Sequence, residues 1–341
     1  MARGLRPFAA LAVAALLAAC QPAAAPEDAS VTRPLPRPDA SVTDAAEQAR
    51  IRAERAARNR ATNAAAVQAA AQASPASRTQ RDYYARMEAR LLAQGRLRTD
   101  RVPLDAPIEP DTLARNFVQI ALRDEYSRDG GALVAEAVPA PLRRWDRPVR
   151  MQLEFGRSTD VAAQRAFRAE VAEYAARLSS VARHPVGVTA EGGNFVIMVM
   201  TEDERRAMTP RLSQLVPGIP AGDLAILADL PPAIACTVFA YSEGGSPVYA
   251  RAVAVIRAEL PRLLRSSCIH EELAQGMGLA NDDPAARPSI FNDDEEFALL
   301  TRHDELLLQI LYDRRLRPGM SEAEALPIVR QIAVELLSEP A

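Results

Sequence analysis

Residues 268–282 of the chain read Cys268-Ile269-His270-Glu271-Glu272-Leu273-Ala274-Gln275-Gly276-Met277-Gly278-Leu279-Ala280-Asn281-Asp282. Pro261 suits the start of a helix, and Gly278 suits the left-handed turn that ends one. Glu271 and Gln275 are four residues apart, so their side chains lie on one face of that helix. The turn at Gly278 then brings Asn281 back towards the same point. The stretch therefore predicts a helix end at which carboxylate and amide groups meet.

Two frames of this stretch can be compared with the zinc-binding helix H-E-x-x-H. A frame that starts at His270 puts the second ligand on Ala274, which has no metal-binding group. The frame that starts one residue later resembles the long metzincin motif H-E-x-x-H-x-x-G-x-x-H, whose positions 1, 2, 5, 8 and 11 are here Glu271, Glu272, Gln275, Gly278 and Asn281. This resemblance implies that Glu272 stands where metzincin peptidases keep the general base that activates a metal-bound water.

A longer part of the chain, about residues 110–338, resembles domain-of-unknown-function family 2927 of proteobacterial, often lipid-anchored proteins. The residues that carry this resemblance are Cys268-Ile269, Glu271-Glu272-Leu273, Gln275, Gly278-Leu279, Asn281-Asp282, Ser289 to Asp294, Leu300-Thr301, His303 to Leu307, Leu311-Tyr312-Asp313 and Pro318-Gly319-Met320. The turn at Pro288, the acidic Asp304 and the helix that ends at Tyr312 follow the motif as they do in metzincins. The resemblance implies a zincin-like fold and no established activity.

All three histidine positions of the zinc motif are changed, to Glu271, Gln275 and Asn281. With Asp282 they form a set of oxygen donors, which disfavours zinc and suits a divalent cation such as Ca²⁺ or Mg²⁺. Three functions remain open: a non-catalytic binding or pseudo-peptidase module, a hydrolase that uses Glu272 as general base with an atypical metal or none, and a non-catalytic cation site. We expect the binding module, with an extended peptide or an envelope partner held against a sheet edge. No metal or cofactor is assigned.

Other polar residues near the motif have alternative interpretations. The acidic run 292–296 either binds a cation together with Asp282 and Asp283, or forms a solvated turn and helix N-terminus; we expect the second. We expect His270 at the surface or beside the site rather than as a ligand. His303 precedes Asp304 and is expected to cap its helix.

The N-terminus predicts export and lipid anchoring. Arg3 and Arg6 precede an uncharged apolar run, 8–19, which is too short to span a bilayer, so residues 1–19 are predicted to be a signal peptide. The sequence before Cys20 resembles a lipobox, which implies acylation of Cys20 and attachment to a membrane. Gln21 rather than Asp follows, which by resemblance to the sorting rule of bacterial lipoproteins implies the outer membrane, facing the periplasm. Residues 20–109 are predicted to be a disordered and helical tether, with a solvated helix at 43–73 and a second helix at 79–95 whose apolar residues allow it to dock on the domain, and residues 110–341 are predicted to be the globular domain.

The remaining pattern predicts an α+β domain with a metzincin-like, twisted and mixed β-sheet packed with helices. Helices are expected at 112–126, 160–183, 261–277, 303–313 and 322–338, and strands at 145–155, 186–188, 194–200, 236–241 and 248–256. Because export implies an oxidising compartment, Cys236 and Cys268 are expected to form a disulfide; two buried free thiols are the alternative.

Composition excludes two classes of function. The 41 basic residues are all Arg, the net charge is −3 and both signs are interspersed. Such a chain lacks the basic surface that nucleic acid needs, and without Lys it cannot form a phosphate-loop nucleotide site. The pattern leaves the oligomeric state open.

Overall fold

The computed structural model describes residues 42–129 and 132–338. The predicted signal peptide, Cys20 and the Pro-rich start of the tether lie outside the described residues. The chain divides after Ala53. Of the first unit the structure describes the beginning of one helix, on which Arg50 and Glu47 form an ion pair of 2.6 Å. The second unit holds the sheet and the other helices.

Across the described residues helices alternate with strands, as in an α+β domain. In chain order the elements are α1 (Val42–Ala71), α2 (Pro75–Ala93), α3 (Pro110–Ala121), β1 (Arg123–Asp129), β2 (Ala132–Pro139), β3 (Val149–Phe155), α4 (Val161–Ala182), β4 (Val186–Val188), β5 (Phe195–Met200), α5 (Glu202–Arg205), α6 (Thr209–Leu215), α7 (Ala221–Ala228), β6 (Cys236–Ser242), β7 (Tyr249–Arg257), α8 (Arg262–Gln275), α9 (Arg302–Leu311) and α10 (Glu322–Ser338). None of the helices within the described residues is long and apolar enough to cross a bilayer.

The main sheet has five strands in the order β4-β3-β5-β7-β6. The first three pairings are parallel, and β6 pairs antiparallel to β7 at one edge. The predicted mixed sheet and the α+β class are therefore confirmed. Successive residues of the central strand β5 face opposite sides of the sheet, so Phe195 and Ile197 enter one core and Val196 and Met198 another. The larger core includes residues of α3, α4, α8, α9 and α10, and the smaller core includes residues of α6 and α7.

Two segments of the tether region have different surroundings. Most of α1 is exposed, as the lack of an apolar stripe predicts. On α2, by contrast, Tyr84 and Leu91 are buried and join the larger core. Ser74 caps α2 with its hydroxyl and Pro75 occupies the first turn, so the break at these residues is also a helix start.

The expected helix at 112–126 was wrong at its end, because α3 stops at Ala121 and Arg123 begins a two-stranded hairpin. The hairpin forms through hydrogen bonds between β1 and β2. The pattern of apolar residues up to residue 126 fits a helix, so the sequence did not indicate this pairing. The strand expected at 145–155 begins at Val149. The three short helices α5, α6 and α7 were not predicted.

A buried ion cluster fixes α5 to the end of β7. The carboxylate of Glu202 accepts hydrogen bonds from Arg205 and Arg257, both fully buried, and from Arg206, which is exposed. Burial raises the pKa of Glu202, but the three guanidinium groups outweigh it and lower the pKa to about 2. The carboxylate therefore stays ionised in the interior.

Candidate functional site

Helix α8 ends at Gln275, two residues before the predicted end at residue 277. Gly278 has a φ of +124°, in the left-handed region. A Cβ at Gly278 would lie 2.5 Å from the carbonyl oxygen of Arg143. A Cβ at Gly276 would lie 2.5 Å from the ring of Phe195. Glycine is required at both positions because backbone and ring pack closely against the end of α8.

The predicted disulfide is confirmed, and it joins two walls of one cleft. Cys236 begins the edge strand β6, Cys268 lies in the middle of α8, and their Cα atoms are 5.9 Å apart. The bond thus holds the sheet edge against the helix that carries the motif.

A cavity of 210 Å³ opens beside this disulfide and is strongly acidic. Its wall includes residues 233–237, which lead into β6, and Glu271, Glu272 and Gln275 of α8. Asp282, Asp293 and Glu295 complete the acidic part of the wall. We call this cavity the acidic cleft. Among the described residues that line it, none carries a positive charge.

Four of the predicted site residues meet in the acidic cleft, and Asn281 does not line it. The amide of Gln275 donates to Asp282 Oδ1 at 3.3 Å. The Asn281 amide instead donates to the carbonyl oxygens of Gln119 on α3, at 2.9 Å, and of Asp282, at 2.7 Å. Asn281 is thus engaged in joining the turn to α3, and Asp282 takes the place beside Gln275.

Burial and like charges dominate the electrostatics of the acidic cleft. Burial raises the pKa of Glu271 well above its usual range, and Asp282, Glu272, Glu295 and Asp293 raise it further. Glu272, which is 4% exposed, is the most deeply buried carboxylate of the group. Because a buried carboxylate surrounded by others is costly to ionise, Glu271 holds a proton more tightly than an ordinary glutamate.

Sequence reasoning did not select Asp293 and Glu295 as site residues, although it weighed the acidic run that contains them. Both have positive φ values of 59°. Their loop is held by two main-chain hydrogen bonds, from Leu97 to the Glu295 carbonyl at 2.9 Å and from Arg98 to the Glu296 carbonyl at 2.7 Å. Partial burial raises the pKa of Asp293, and burial together with Asp293 raises that of Glu295. The signal in the sequence that could have identified these two residues is the high proportion of acidic residues in the run 292–296.

The ring of His270 is engaged away from the acidic cleft. It stacks on Tyr174 with centroids 4.0 Å apart, and its Nδ1 accepts a hydrogen bond from the Leu300 amide at 3.0 Å. Burial, with a contribution from Arg177, lowers the pKa of His270 to about 3, so the ring is neutral near pH 7.

The cap expected from His303 was wrong, because Thr301 caps α9 with its hydroxyl. A short polar side chain just before the first turn reaches the free amides there, whereas His303 already lies inside the helix. The His303 ring is buried, with Nε2 3.2 Å from Asn116 Oδ1.

The segment after the motif folds back under the end of α8. Ser289 donates its hydroxyl hydrogen to Asp304 at 2.5 Å, and Asp304 completes the capping box at the start of α9. Tyr312, which follows α9, donates to the carbonyl oxygen of Met277 at 2.9 Å. The buried acid and the tyrosine therefore stabilise the turn that presents Asp282.

The carboxylates are spread around the cleft rather than gathered at one point. Within the described residues, no three His, Cys, Asp or Glu side chains are arranged to hold a metal ion. Of the residues at the three histidine positions of the zinc motif, Glu271 and Gln275 present oxygen atoms at the cleft, whereas the Asn281 amide is bonded to α3. This donor set does not fit the tetrahedral nitrogen and sulfur coordination typical of zinc.

Comparison with known proteins identifies the family. Residues 110–331 match the family described as "Protein of unknown function (DUF2927)". The match covers most of the chain, and the protein belongs to this family. No curated protein matches the chain.

Proposed function

We propose that the acidic cleft is a non-catalytic binding site for an extended, positively charged peptide segment. The observation that carries this proposal is a cavity lined by five carboxylates and, among the described residues, by no basic side chain. The carboxylates come from α8, from Asp282 and from the 293–295 loop. Charges spread in this way suit a ligand with positive groups at several positions, such as arginine or lysine side chains.

The neighbouring sheet edge supports an extended conformation for the ligand. Strand β6 pairs with β7 on one side, and its other side pairs with no strand of the described residues. An added strand would form main-chain hydrogen bonds along that edge, and alternate side chains would point towards the carboxylates. The disulfide supports this arrangement because it fixes the distance between the edge strand and α8.

The electrostatics of the free site also favour a cationic ligand. Besides burial, four neighbouring carboxylates raise the pKa of Glu271. A positive group in the cleft would lower that pKa and offset the repulsion. Peptide binding should therefore favour loss of the Glu271 proton, and its affinity should fall as salt is added.

Binding is tested with two nine-residue peptides, one alternating Arg with Ala and one alternating Glu with Ala, titrated calorimetrically into the full chain. We expect the basic peptide to bind and the acidic peptide not to bind. The triple variant Glu271→Gln, Asp293→Asn, Glu295→Gln should lose about tenfold or more in affinity. Glu173→Gln removes one exposed carboxylate on α4 and serves as the control. Equal binding of both peptides, or an unaffected triple variant, would contradict the proposal.

A hydrolase is the second candidate, favoured by one observation. Glu271 retains a proton more readily than usual, and Glu272, which stands at the general-base position of the zinc motif, is a buried neighbour in the same cavity. Incubation of the chain with a peptide library, followed by mass spectrometry, tests this candidate. Cleavage that Glu272→Gln abolishes would replace the binding proposal by an enzymatic one.

We further propose that the protein is a lipoprotein of the cell envelope, anchored through Cys20 in the outer membrane and facing the periplasm. The proposal rests on the signal-peptide pattern and the lipobox resemblance at 17–20. Metabolic labelling with a palmitate analogue should mark the wild-type chain and not Cys20→Ser. Fractionation that leaves the wild-type chain free of membranes would refute it.

A further inference from the structure

A cavity of 650 Å³ lies at the end of the main sheet where the parallel strands β3, β5 and β7 begin, and no motif residue lines it. Its wall comes from three places: residues 145–150 before and within β3, the turn at 192–194 before β5, and residues 243–251 between and within β6 and β7. This volume is within the range of cavities that enclose small ligands. We call it the arginine cleft, because Arg147, Arg150 and Arg251 line it.

The strand register aligns two of these arginines. Met151 pairs with Phe195 and Phe195 with Ala252, so the preceding residues Arg150, Asn194 and Arg251 form the next row across the sheet. Main-chain hydrogen bonds from Asn194 to the Arg150 carbonyl, 3.0 Å, and from Ala252 to the Asn194 carbonyl, 2.9 Å, continue the ladder through this row.

Side chains of one row point to the same face, opposite to the row that enters the larger core. With about 4.8 Å between neighbouring strands, the Cα atoms of Arg150 and Arg251 are about 10 Å apart.

The glycine turn beside this row positions one guanidinium group. Gly192 has a φ of +68°, and a Cβ at Gly193 would lie 2.5 Å from the Gln152 Cβ. The turn can therefore approach β3 closely, and the Gly192 carbonyl accepts hydrogen bonds from Arg150 Nη2 at 3.1 Å and Nε at 3.3 Å. The remaining donors of Arg150 are left for a ligand.

Three arginines and two carboxylates line the arginine cleft. Among the described residues, no carboxylate forms an ion pair with any of its three arginines, although Asp146 and Glu243 also line the cavity. Elsewhere on the surface Arg315, for example, bonds two carboxylates. Trp145 and Tyr249 also line the cavity, but their side chains are 1% and 5% exposed and belong to the larger core. A guanidinium group pairs well with carboxylate or phosphate, because both accept two parallel hydrogen bonds.

From this arrangement we infer that the arginine cleft binds a ligand with two anionic groups, carboxylates or phosphates, far enough apart to reach two arginines whose Cα atoms are about 10 Å apart. Arg150 and Arg251 each bind one anionic group. This site is separate from the acidic cleft and does not depend on peptide binding there.

The test uses three simple probes, titrated calorimetrically into the full chain at low salt. They are suberate, an eight-carbon dicarboxylate; 1,6-hexanediol bisphosphate; and octanoate, a monocarboxylate control. We expect one or both of the dianions to bind, and the one that binds more tightly identifies the anionic group. Octanoate should bind about tenfold more weakly than that dianion, because it engages one arginine.

Variants locate the binding. Arg150→Gln and Arg251→Gln should each weaken binding of the dianion about tenfold. If Arg150→Gln folds poorly because it loses the hydrogen bonds to Gly192, Arg251→Gln still tests the site, since Arg251 does not take part in those bonds. Arg330→Gln removes an exposed arginine on α10 and should have no effect. The inference is overturned if neither dianion binds, if octanoate binds as tightly, or if Arg330→Gln weakens binding equally.

Discussion

Removal of the disulfide should both destabilise the domain and weaken peptide binding. Cys236 and Cys268 are 32 residues apart in sequence, and the bond closes that loop. In the chain-entropy model a loop of this length stabilises the folded state by about 3–4 kcal/mol. The double variant Cys236→Ala, Cys268→Ala should therefore lose that free energy of unfolding, with a fall of about 1–2 M in the urea midpoint.

The assay is equilibrium unfolding in urea, followed by circular dichroism, on the wild-type chain, the double variant and Cys20→Ser. The last variant is the matched control, because it removes a cysteine outside the disulfide and should leave the midpoint unchanged. The double variant should also bind the Arg-Ala peptide less tightly, since the bond fixes the edge strand β6 against α8.

A loss below about 1 kcal/mol would refute this reasoning, because it would mean that the disulfide hardly restricts the unfolded chain. If the double variant is destabilised but folded and binds the peptide with unchanged affinity, only the expectation of weaker peptide binding is refuted. The walls of the acidic cleft would then keep their separation without the covalent bond.

Three further predictions concern stability. Glu271 has a raised pKa in the folded state, so the folded protein binds more protons than the unfolded chain above about pH 4.5 and loses stability as the pH rises towards the folded pKa. Glu271→Gln should flatten that loss and raise the urea midpoint at pH 8 relative to wild type; a parallel pH profile would count against a raised pKa. Gly278→Ala should cost about 2 kcal/mol or more, since its φ is left-handed and the new methyl group meets a backbone carbonyl. Thermal melting can compare it with Gly245→Ala, which has open space around it, and similar melting temperatures would be inconsistent with the close packing. Arg257→Ala should cost about 3–5 kcal/mol by leaving a buried glutamate with one fewer partner. Arg206→Ala, whose side chain is 60% exposed, should cost below about 1 kcal/mol in the same urea assay, and equal losses would disprove the role of burial.

Local signals predicted much of the fold and part of the site. The left-handed turn at Gly278 followed from the conformational freedom of glycine, and the disulfide from two cysteines in a chain with a predicted export signal. The pattern at 194–200 predicted the strand that the structure has as β5, and the motif placed Glu271, Glu272 and Gln275 on the helix that lines the acidic cleft. Family membership followed from the same motif residues.

The features of the site that the sequence did not predict depend on contacts between segments that are distant in the chain. Asn281 was expected beside Gln275, but its amide bonds to Gln119, which lies 162 residues earlier in the chain. Asp293 and Glu295 reach the acidic cleft because the backbone at Leu97 and Arg98 holds their loop, a pairing that no local pattern encodes.

What the sequence alone determined is therefore the longer helices, the strands of the main sheet and the chemistry of single segments, since helix ends, strand patterns and cysteine pairs depend on neighbouring residues or on the compartment. The tertiary structure decided which charges share a cavity. The five carboxylates of the acidic cleft come from separate segments, and the row of Arg150, Asn194 and Arg251 exists only through the register of three strands. Register depends on hydrogen bonds and packing across the sheet, so residues far apart in sequence become neighbours only when the whole sheet forms.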